Sequence, residues 1–212
     1  MEAQTCPMVE TRSFRDEVIG WVAGGPGGSA GEPASRPGVR TAVLLEGLSD
    51  LAAVEALAAR RGRDLAAEGV CVVPMGGAMN VGRYADLLGQ PGLGLRLVGL
   101  CDEGERRFYD RGLQRAGARH GDVFVCVTDL EDELIRALGT ARVEEVVRAE
   151  DDFRAWRTFL HQPAHRGRPR QQQLRRFLGT KKGRKIRYGR ILVEALDSGQ
   201  VPAPLDDLLA SL

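Results

Sequence analysis

Carboxylates follow two apolar segments of this chain at the point where each segment ends. Glu46 and Asp50 come after the run TAVLL, and Asp102 and Glu105 come after LRLVGLC. Such runs are typical of strands that are buried on both faces of a parallel sheet. Because the carboxyl ends of parallel strands meet at one edge, we expect these acids to share a crevice. Clustered carboxylates repel one another, so a hard cation is expected between them, and Mg²⁺ suits oxygen ligands best. The pattern therefore predicts metal-assisted phosphate chemistry.

Several of the acids also have a purely structural interpretation. Ser49 is a plausible helix cap with Asp50 in the first turn, and acids are common at helix N-termini. Asp102 can be interpreted in the same way. Glu46 is harder to explain, because it directly follows apolar residues and would be costly to bury without a partner. The acidic run DLEDE at 129–133 is explained equally well by the dipole of the helix that it begins.

Composition places the chain among soluble globular proteins. It has 212 residues, of which 43% are hydrophobic and 28% are charged. No apolar run approaches the roughly 20 residues that span a bilayer, and no secretory leader is recognisable, so we expect a cytoplasmic protein without membrane contact. Cys71, Cys101 and Cys126 lie inside apolar runs and should pack as small hydrophobic residues. No C-x-x-C pair and no G-x-x-x-x-G-K-[ST] phosphate-binding loop occurs.

A basic segment is attached to an otherwise acidic chain. Eleven Lys and Arg residues and no acid lie between His161 and Arg190, whereas the rest of the chain has 19 basic and 29 acidic residues. This asymmetry is typical of a polyanion binder, although a solvated helical face or a solubilising tail is the alternative. The residues that we expect to contact nucleic acid are Arg175, Arg176, Lys181, Lys182 and Arg184, of which the first four should be largely solvated.

Hydrophobic periodicity predicts three parts: a short helix and a flexible Gly/Pro-rich linker (1–38), an α/β core (39–140), and a helical part with the basic segment 161–190 (141–212). The core alternates strands and helices, which implies a mostly parallel sheet flanked by helices. The predicted strands are Thr41–Leu45, Gly69–Pro74, Leu95–Cys101 and Val123–Val127. The predicted helices are Ser13–Ala23, Asp50–Arg61, Asn80–Leu88, Glu103–Ala116, Leu130–Leu138, Val143–Leu160, Gln171–Leu178 and Lys185–Leu196.

In this order of elements, the motifs strand–EG-x-S-D–helix, strand–GG and strand–D-x-x-E resemble the TOPRIM domain of topoisomerases, bacterial primases and OLD (overcoming lysogenisation defect) nucleases. The DLEDEL run and the late GRKIRYGRILVEAL resemble OLD-type domains most closely, over Thr41–Leu196. The resemblance implies a Rossmann-like TOPRIM fold with a helical basic C-terminal extension. It also implies divalent-metal-dependent phosphoryl transfer on nucleic acid.

Carried over residue by residue, the resemblance assigns roles to three acids. Glu46 is similar to the motif glutamate, a metal ligand or general base, and Asp50 to an acid that helps to hold a second metal. Asp102 is similar to the first acid of a D-x-D pair. Strict spacing would place the second acid at Gly104, and the OLD-like pattern moves that role to Glu105.

The resemblance also implies roles for later residues. Glu131 would be the OLD-type acid for a second metal. Lys185 would be the lysine that neutralises charge in the transition state, with Lys182 as the alternative. A surface lysine that only contacts phosphate is an equally good interpretation of Lys185.

The implied function is a Mg²⁺- or Mn²⁺-dependent nuclease, or a nucleotidyl hydrolase or transferase, that acts on nucleic-acid phosphodiesters, with DNA favoured over RNA and the choice left open by the sequence. The alternative is a non-catalytic nucleic-acid-binding or regulatory module. OLD-like nucleases carry an ATPase domain and this sequence has none, so we expect a freestanding TOPRIM module, with a separately encoded ATPase as a partner.

Overall fold

The four predicted strands form one parallel sheet in the computed structural model, which describes residues 7–24, 38–90, 92–119 and 121–212. The strands are β1 (Thr41–Leu45), β2 (Val70–Pro74), β3 (Arg96–Asp102) and β4 (Val123–Cys126), in the spatial order β2-β1-β3-β4. All three strand pairs are parallel. The predicted fold class, an α/β protein with a parallel sheet, is confirmed.

Ten helices are found in the described part of the chain. They are α1 (Pro7–Val22), α2 (Leu48–Arg60), α3 (Val81–Leu88), α4 (Arg106–Arg115), α5 (Leu130–Leu138), α6 (Thr140–Ala149), α7 (Phe153–His161), α8 (Arg170–Leu178), α9 (Lys182–Ala195) and α10 (Ala203–Ser211). Short 3₁₀ turns precede α3 and α4, at Ala78–Asn80 and Glu103–Glu105. None of the described helices combines the length and the hydropathy that a bilayer crossing requires.

Alternate residues of β1 face two different hydrophobic cores. Val43 and Leu45 belong to one core, Ala42 and Leu44 belong to the other, and all four side chains are fully buried. Because successive side chains of a strand point to opposite faces, burial on both faces requires the unbroken apolar run seen in the sequence. Helices α2 and α5–α10 cover the first face, and α1, α3 and α4 cover the second.

Helix α9 lies directly against α2. A Cβ atom at Gly189 would be 2.5 Å from the carbonyl oxygen of Ser49, so the two backbones can approach this closely only with glycine there. Tyr188 and Leu192 of α9 are buried in the same core as α2. The basic C-terminal part is thereby held against the first turn of α2, where Asp50 lies.

Some helix boundaries differ from the sequence-based expectation. Helix α1 begins at Pro7, so Ser13 is an exposed residue within the helix and not its cap, although Phe14 and Val18 are buried as the periodicity predicted. The segment predicted as one helix from 143 to 160 is broken between α6 and α7, where Asp151 has a left-handed φ of 58°. Helix α10 was not predicted. The predicted linker falls mostly on residues 25–37, which lie outside the described residues.

Candidate metal centre

The loop between β1 and α2 positions the first two predicted acids. Glu46 directly follows β1 and is half-buried, and its carboxylate makes no hydrogen bond within the described part of the chain. Helix α2 is capped by Gly47 and not, as predicted, by Ser49, which is buried inside the first turn. The reason is local: Gly47 has an extended backbone (φ −148°), and its N–H donates to Asp50 Oδ2 at 2.8 Å. Asp50 lies in the first turn, as expected.

Asp102 ends the strand beside β1. Leu45 pairs with Leu100 in the sheet, so Glu46 lies one residue and Asp102 two residues beyond a paired position of adjacent strands. On its other side Asp102 pairs with Cys126 of β4. The two acids therefore belong to the same edge of the sheet, where ligands of open α/β folds bind.

Five acids at this edge interact with one another through their charges. Burial raises the pKa of the Asp102 carboxyl to about 8, and nearby negative charges contribute to this shift. Like charges raise a carboxyl pKa in this way only when they are close in space. The contributing carboxylates are, in descending order, Glu46, Asp129, Asp50 and Glu131.

Lys185 of α9 faces this group of acids. Its Nζ lies 3.4 Å from Glu131 Oε1, and Glu131 is only 4% exposed. Burial raises the pKa of Glu131 to about 7 and that of Asp50 to about 6, and the positive charge of Lys185 partly opposes both shifts. Burial alone would lower the pKa of Lys185, but Glu131 and Asp50 outweigh it and hold the pKa above its ordinary value. Lys185 is therefore an ammonium ion at neutral pH.

Asp129, which follows β4, joins this group although it was not among the predicted site residues. Its Oδ1 accepts a hydrogen bond from the Asp132 N–H at 2.8 Å and caps α5, and its Oδ2 accepts one from Arg175 Nε at 2.5 Å. The preceding Thr128 has a φ of 77°, which is strained for a β-branched residue. The acidic run after β4 was visible in the sequence, but its closeness to Asp102 depends on β4 lying next to β3.

Glu105 is the predicted ligand with the weakest structural link to the group. It lies half-buried at the end of a 3₁₀ turn, and it is not one of the four carboxylates that contribute most to the pKa of Asp102. It contributes instead to the raised pKa of the Cys101 thiol. Among the described residues, no three His, Cys, Asp or Glu side chains are arranged closely enough to hold a metal ion as they stand.

The chemistry of these side chains nevertheless fits a hard divalent cation. The available donors are carboxylate oxygens, which Mg²⁺ and Mn²⁺ prefer, and the described cysteines are buried as apolar side chains, as predicted. Several of the oxygens already have protein partners, namely the Gly47 N–H, Lys185 and Arg175. Side-chain rotation would have to bring the remaining oxygens onto a common ion.

Most of the basic segment neutralises the acidic body of the same molecule. Six of its eleven cations form ion pairs with acids, and they are Arg170, Arg175, Arg184, Lys185, Arg187 and Arg190. Arg176, Lys181 and Lys182 are exposed and form no ion pair within the described residues. Five of the eleven cations therefore form no ion pair within the described residues, since Arg166 and Arg168 are exposed as well. We call the three that were predicted contacts, Arg176, Lys181 and Lys182, the exposed basic group.

Two predicted nucleic-acid contacts are corrected by this arrangement. Arg184 is only 8% exposed; its guanidinium donates to Asp152 at 3.0 Å and to Thr180 Oγ1 at 2.6 Å. It therefore holds α9 against the start of α7 and cannot contribute to an exposed surface. Arg175 was expected to be largely solvated, but it is half-buried and bonded to Asp129.

The exposed basic group should carry the salt dependence of nucleic-acid binding. Replacing Arg176, Lys181 and Lys182 together by Ala should reduce the slope of log Kd against log salt by up to about 3, because each lost phosphate contact releases about one counterion fewer. Fluorescence anisotropy with a labelled oligonucleotide at several salt concentrations measures this slope. Arg190→Ala is the control, since Arg190 is exposed but paired with Glu194. Equal slopes for the triple variant and the wild type would contradict the assignment.

Asp102 should destabilise the metal-free protein at alkaline pH. With a pKa of about 8, native Asp102 keeps its proton where the unfolded chain, with a pKa near 4, has lost it. Stability should therefore fall as the pH rises between these values, and Asp102→Asn should remove that loss. We expect the variant to be about 1 kcal/mol more stable near pH 9 in EDTA, with a smaller gain near pH 5, by urea denaturation. Asp110→Asn, on the exposed face of α4, should have little effect. A variant that is equally destabilised at both pH values would contradict this.

Comparison with known proteins agrees with this architecture. Residues 39–103 match the family model described as the TOPRIM domain of overcoming lysogenization defect protein-like proteins. The structure resembles the C-terminal region of the Xanthomonas campestris pv. campestris OLD protein, with 24% identity and a TM-score of 0.60, covering 81% of this chain and 93% of that one. It also resembles the C-terminal region of the Burkholderia pseudomallei OLD protein, with 21% identity and a TM-score of 0.60, covering 82% and 96%. A search of curated proteins gave no significant match.

The matched segment contains β1, β2 and β3 together with Glu46, Asp50 and Asp102, which are the acids on which the resemblance was based. The structural similarity extends beyond it, over about four-fifths of the chain. Residues 39–103 therefore match an OLD-like TOPRIM domain, and the chain shares its fold with the C-terminal regions of OLD proteins.

Proposed function

We propose that this chain is a divalent-metal-dependent nuclease, or a related nucleotidyl hydrolase or transferase, that acts on the phosphodiesters of DNA in an endonuclease-like manner. The observation that carries the proposal is that Glu46 and Asp102 lie at the ends of adjacent parallel strands at the carboxyl edge of the sheet, close enough to Asp50, Asp129 and Glu131 for their charges to interact. TOPRIM domains generally bind divalent metals such as Mg²⁺, and they are typically metal-dependent nucleases or primases. A pure binding module would gain nothing from carboxylates that repel phosphate.

Mg²⁺ or Mn²⁺ would be held by Glu46, Asp50 and Asp102, with Glu105 and Glu131 as further oxygen donors. A bound ion would acidify an attacking water and stabilise the attacking and leaving oxygens of the phosphodiester. Glu46 is suited to binding an ion or accepting a proton, because it is half-buried and its carboxylate oxygens have no hydrogen-bond partner among the described residues.

Lys185 would neutralise charge that develops on the non-bridging phosphate oxygens. Its ammonium group is held at the acids by Glu131, at 3.4 Å, so it is already oriented before substrate binds. Such preorganised charges need no rearrangement during the reaction, which is why they lower the barrier effectively. Lys182, the first residue of α9, is exposed and has no acidic partner within the described residues, so Lys185 fits the role better.

Metal binding should stabilise the fold and depend on Glu46. A ligand at about 100 times its dissociation constant stabilises a protein by about 2.7 kcal/mol when it binds only the native state. Millimolar Mg²⁺ or Mn²⁺ should therefore raise the melting temperature of the wild type and raise that of Glu46→Gln much less. Calorimetric titration gives the affinity, and a supercoiled-plasmid nicking assay tests the reaction. Identical shifts in the two proteins would mean that the ions bind elsewhere.

The same assays separate the proposal from its alternative. A protein that binds metal and DNA but nicks nothing, with either ion, would be a non-catalytic nucleic-acid-binding or regulatory module. Nicking that appears only when a separately encoded ATPase is added would assign the chain to a two-protein enzyme.

A further inference from the structure

Exposed apolar side chains are concentrated at the edge of the sheet that carries the acids. Within the described residues, five large hydrophobic side chains are exposed, by 42–74% of their surface, and they are Met8, Val9, Leu48, Met79 and Val127. Met8 and Val9 lie on α1. The other three, which we call the apolar rim, each follow the end of a different strand.

The apolar rim surrounds the proposed metal site. Leu48 begins α2, two residues after Glu46. Met79 lies in the turn after β2, and Val127 directly follows β4. Since β2 and β4 are the outer strands and β1 and β3 the inner ones, the rim residues lie beside and on both sides of Glu46 and Asp102.

Hydrogen bonds fix the backbone that presents the rim. The Gly77 N–H donates to the Glu46 carbonyl at 3.0 Å, and Asn80 Nδ2 donates to the Met75 carbonyl at 2.9 Å, which holds the turn that exposes Met79. On the other side the Val127 N–H donates to Glu133 Oε1 at 2.9 Å.

Exposure of these side chains on a fixed backbone is costly, because apolar surface in contact with water is unfavourable. Thr128, next to Val127, adds a strained backbone with a φ of 77°. Local strain and exposed apolar surface of this kind are maintained where a ligand makes use of them.

We propose that Leu48, Met79 and Val127 contact nucleobases next to the phosphodiester that is cut, so that the substrate is single-stranded or locally unpaired DNA. This inference rests on the proposed function. In an intact duplex the faces of the bases are stacked inside, and a protein meets phosphates, sugars and the polar edges of the bases in the grooves, which offer little to an apolar rim. Unpaired bases expose their faces, and apolar side chains bind such faces or wedge between them.

A nucleic acid fits this surface better than a protein partner does. An apolar protein surface seated on the rim would also cover Glu46 and Asp102 and remove water from their charges without offering phosphate or a cation in exchange. A strand of nucleic acid brings phosphates to the metal site and apolar bases to the rim at once.

Three fluorescein-labelled oligonucleotide probes of one length distinguish binding to bases from binding to phosphates. They are a single strand, the same strand in a duplex, and a strand of abasic nucleotides. Anisotropy is measured with Mg²⁺ in the Glu46→Gln background, in which we expect the strands to remain intact. The single strand should bind about tenfold more tightly than either other probe, as stacking on one base would provide. Met79→Ser combined with Val127→Thr should remove this preference and leave binding to the abasic strand unchanged.

Met8→Ser is the matched control, because Met8 is also exposed but lies on α1. Equal affinity of the Glu46→Gln protein for normal and abasic strands would overturn the inference. The same loss of affinity for all three probes on adding Met79→Ser and Val127→Thr, the rim variant, would also overturn it. If the protein binds and nicks DNA but has the same affinity for all three probes, this inference is wrong and the proposed function still stands. A protein that neither binds nor nicks any nucleic acid would overturn the proposed function with it. Self-association that the rim variant abolishes, without discrimination between bases, would assign the rim to a second copy of this chain.

Discussion

Glu46→Gln should reduce nicking of supercoiled plasmid by at least about a thousandfold, because the change removes both a metal ligand and a candidate general base. The carboxamide keeps the shape of the side chain, and the Glu46 carboxylate has no hydrogen-bond partner among the described residues that the change would disrupt. Binding of DNA should be preserved or strengthened, since one negative charge near the phosphate disappears. Single-turnover nicking with Mg²⁺ and anisotropy with a labelled oligonucleotide measure the two effects separately.

Glu55→Gln is the matched control for this variant. Glu55 lies on α2, the helix that follows Glu46, but it is exposed and forms a surface ion pair with Arg15, of the kind that contributes little to stability. It should nick DNA at the wild-type rate. If Glu46→Gln also nicks at that rate, the reaction does not depend on this carboxylate and the proposed site is wrong.

Lys185→Ala should lower turnover on saturating DNA by about a hundredfold to a thousandfold while changing affinity little, because a preorganised charge acts mainly on the transition state. The variant also leaves the buried Glu131 without its cation, so the pKa of Glu131 should rise further and the protein should lose stability at high pH. Rates at saturating DNA and the Kd, compared at one salt concentration, separate turnover from binding.

Lys182→Ala serves as the comparison, since Lys182 is a lysine of the same helix that is exposed and has no acidic partner among the described residues. It should weaken binding and leave turnover unchanged. If the two variants weaken binding alike and both turn over at the wild-type rate, Lys185 is only a phosphate contact.

The sheet could be predicted from the sequence because its strands are short apolar runs that must be buried on both faces. The placement of Glu46 and Asp102 at one edge followed from parallel strands alone. Asp129 could not be assigned, because its closeness to Asp102 depends on the order of β3 and β4, which periodicity does not encode.

Charge patterns were less informative than apolar ones. Arg184 and Arg176 belong to the same basic segment, yet Arg184 is buried on Asp152 and Arg176 is exposed. Only the tertiary structure decides which cations find an acidic partner, and here most of them do. The long predicted helix after residue 143 failed for a related reason, since a single left-handed residue, Asp151, interrupts an otherwise helical pattern.

The glycine at the crossing of α9 and α2 sets how far the lysine of the site can reach. Gly189 touches the backbone of Ser49, one residue before Asp50, and Lys185 lies one helical turn earlier on the same helix. The distance between the ammonium group and the acids is therefore set by the contact between the two helix backbones, and not only by the length of the flexible lysine side chain. A methyl group at position 189 would push the two helices apart and so move the Lys185 ammonium group relative to the acids, without altering any chemical group of the site.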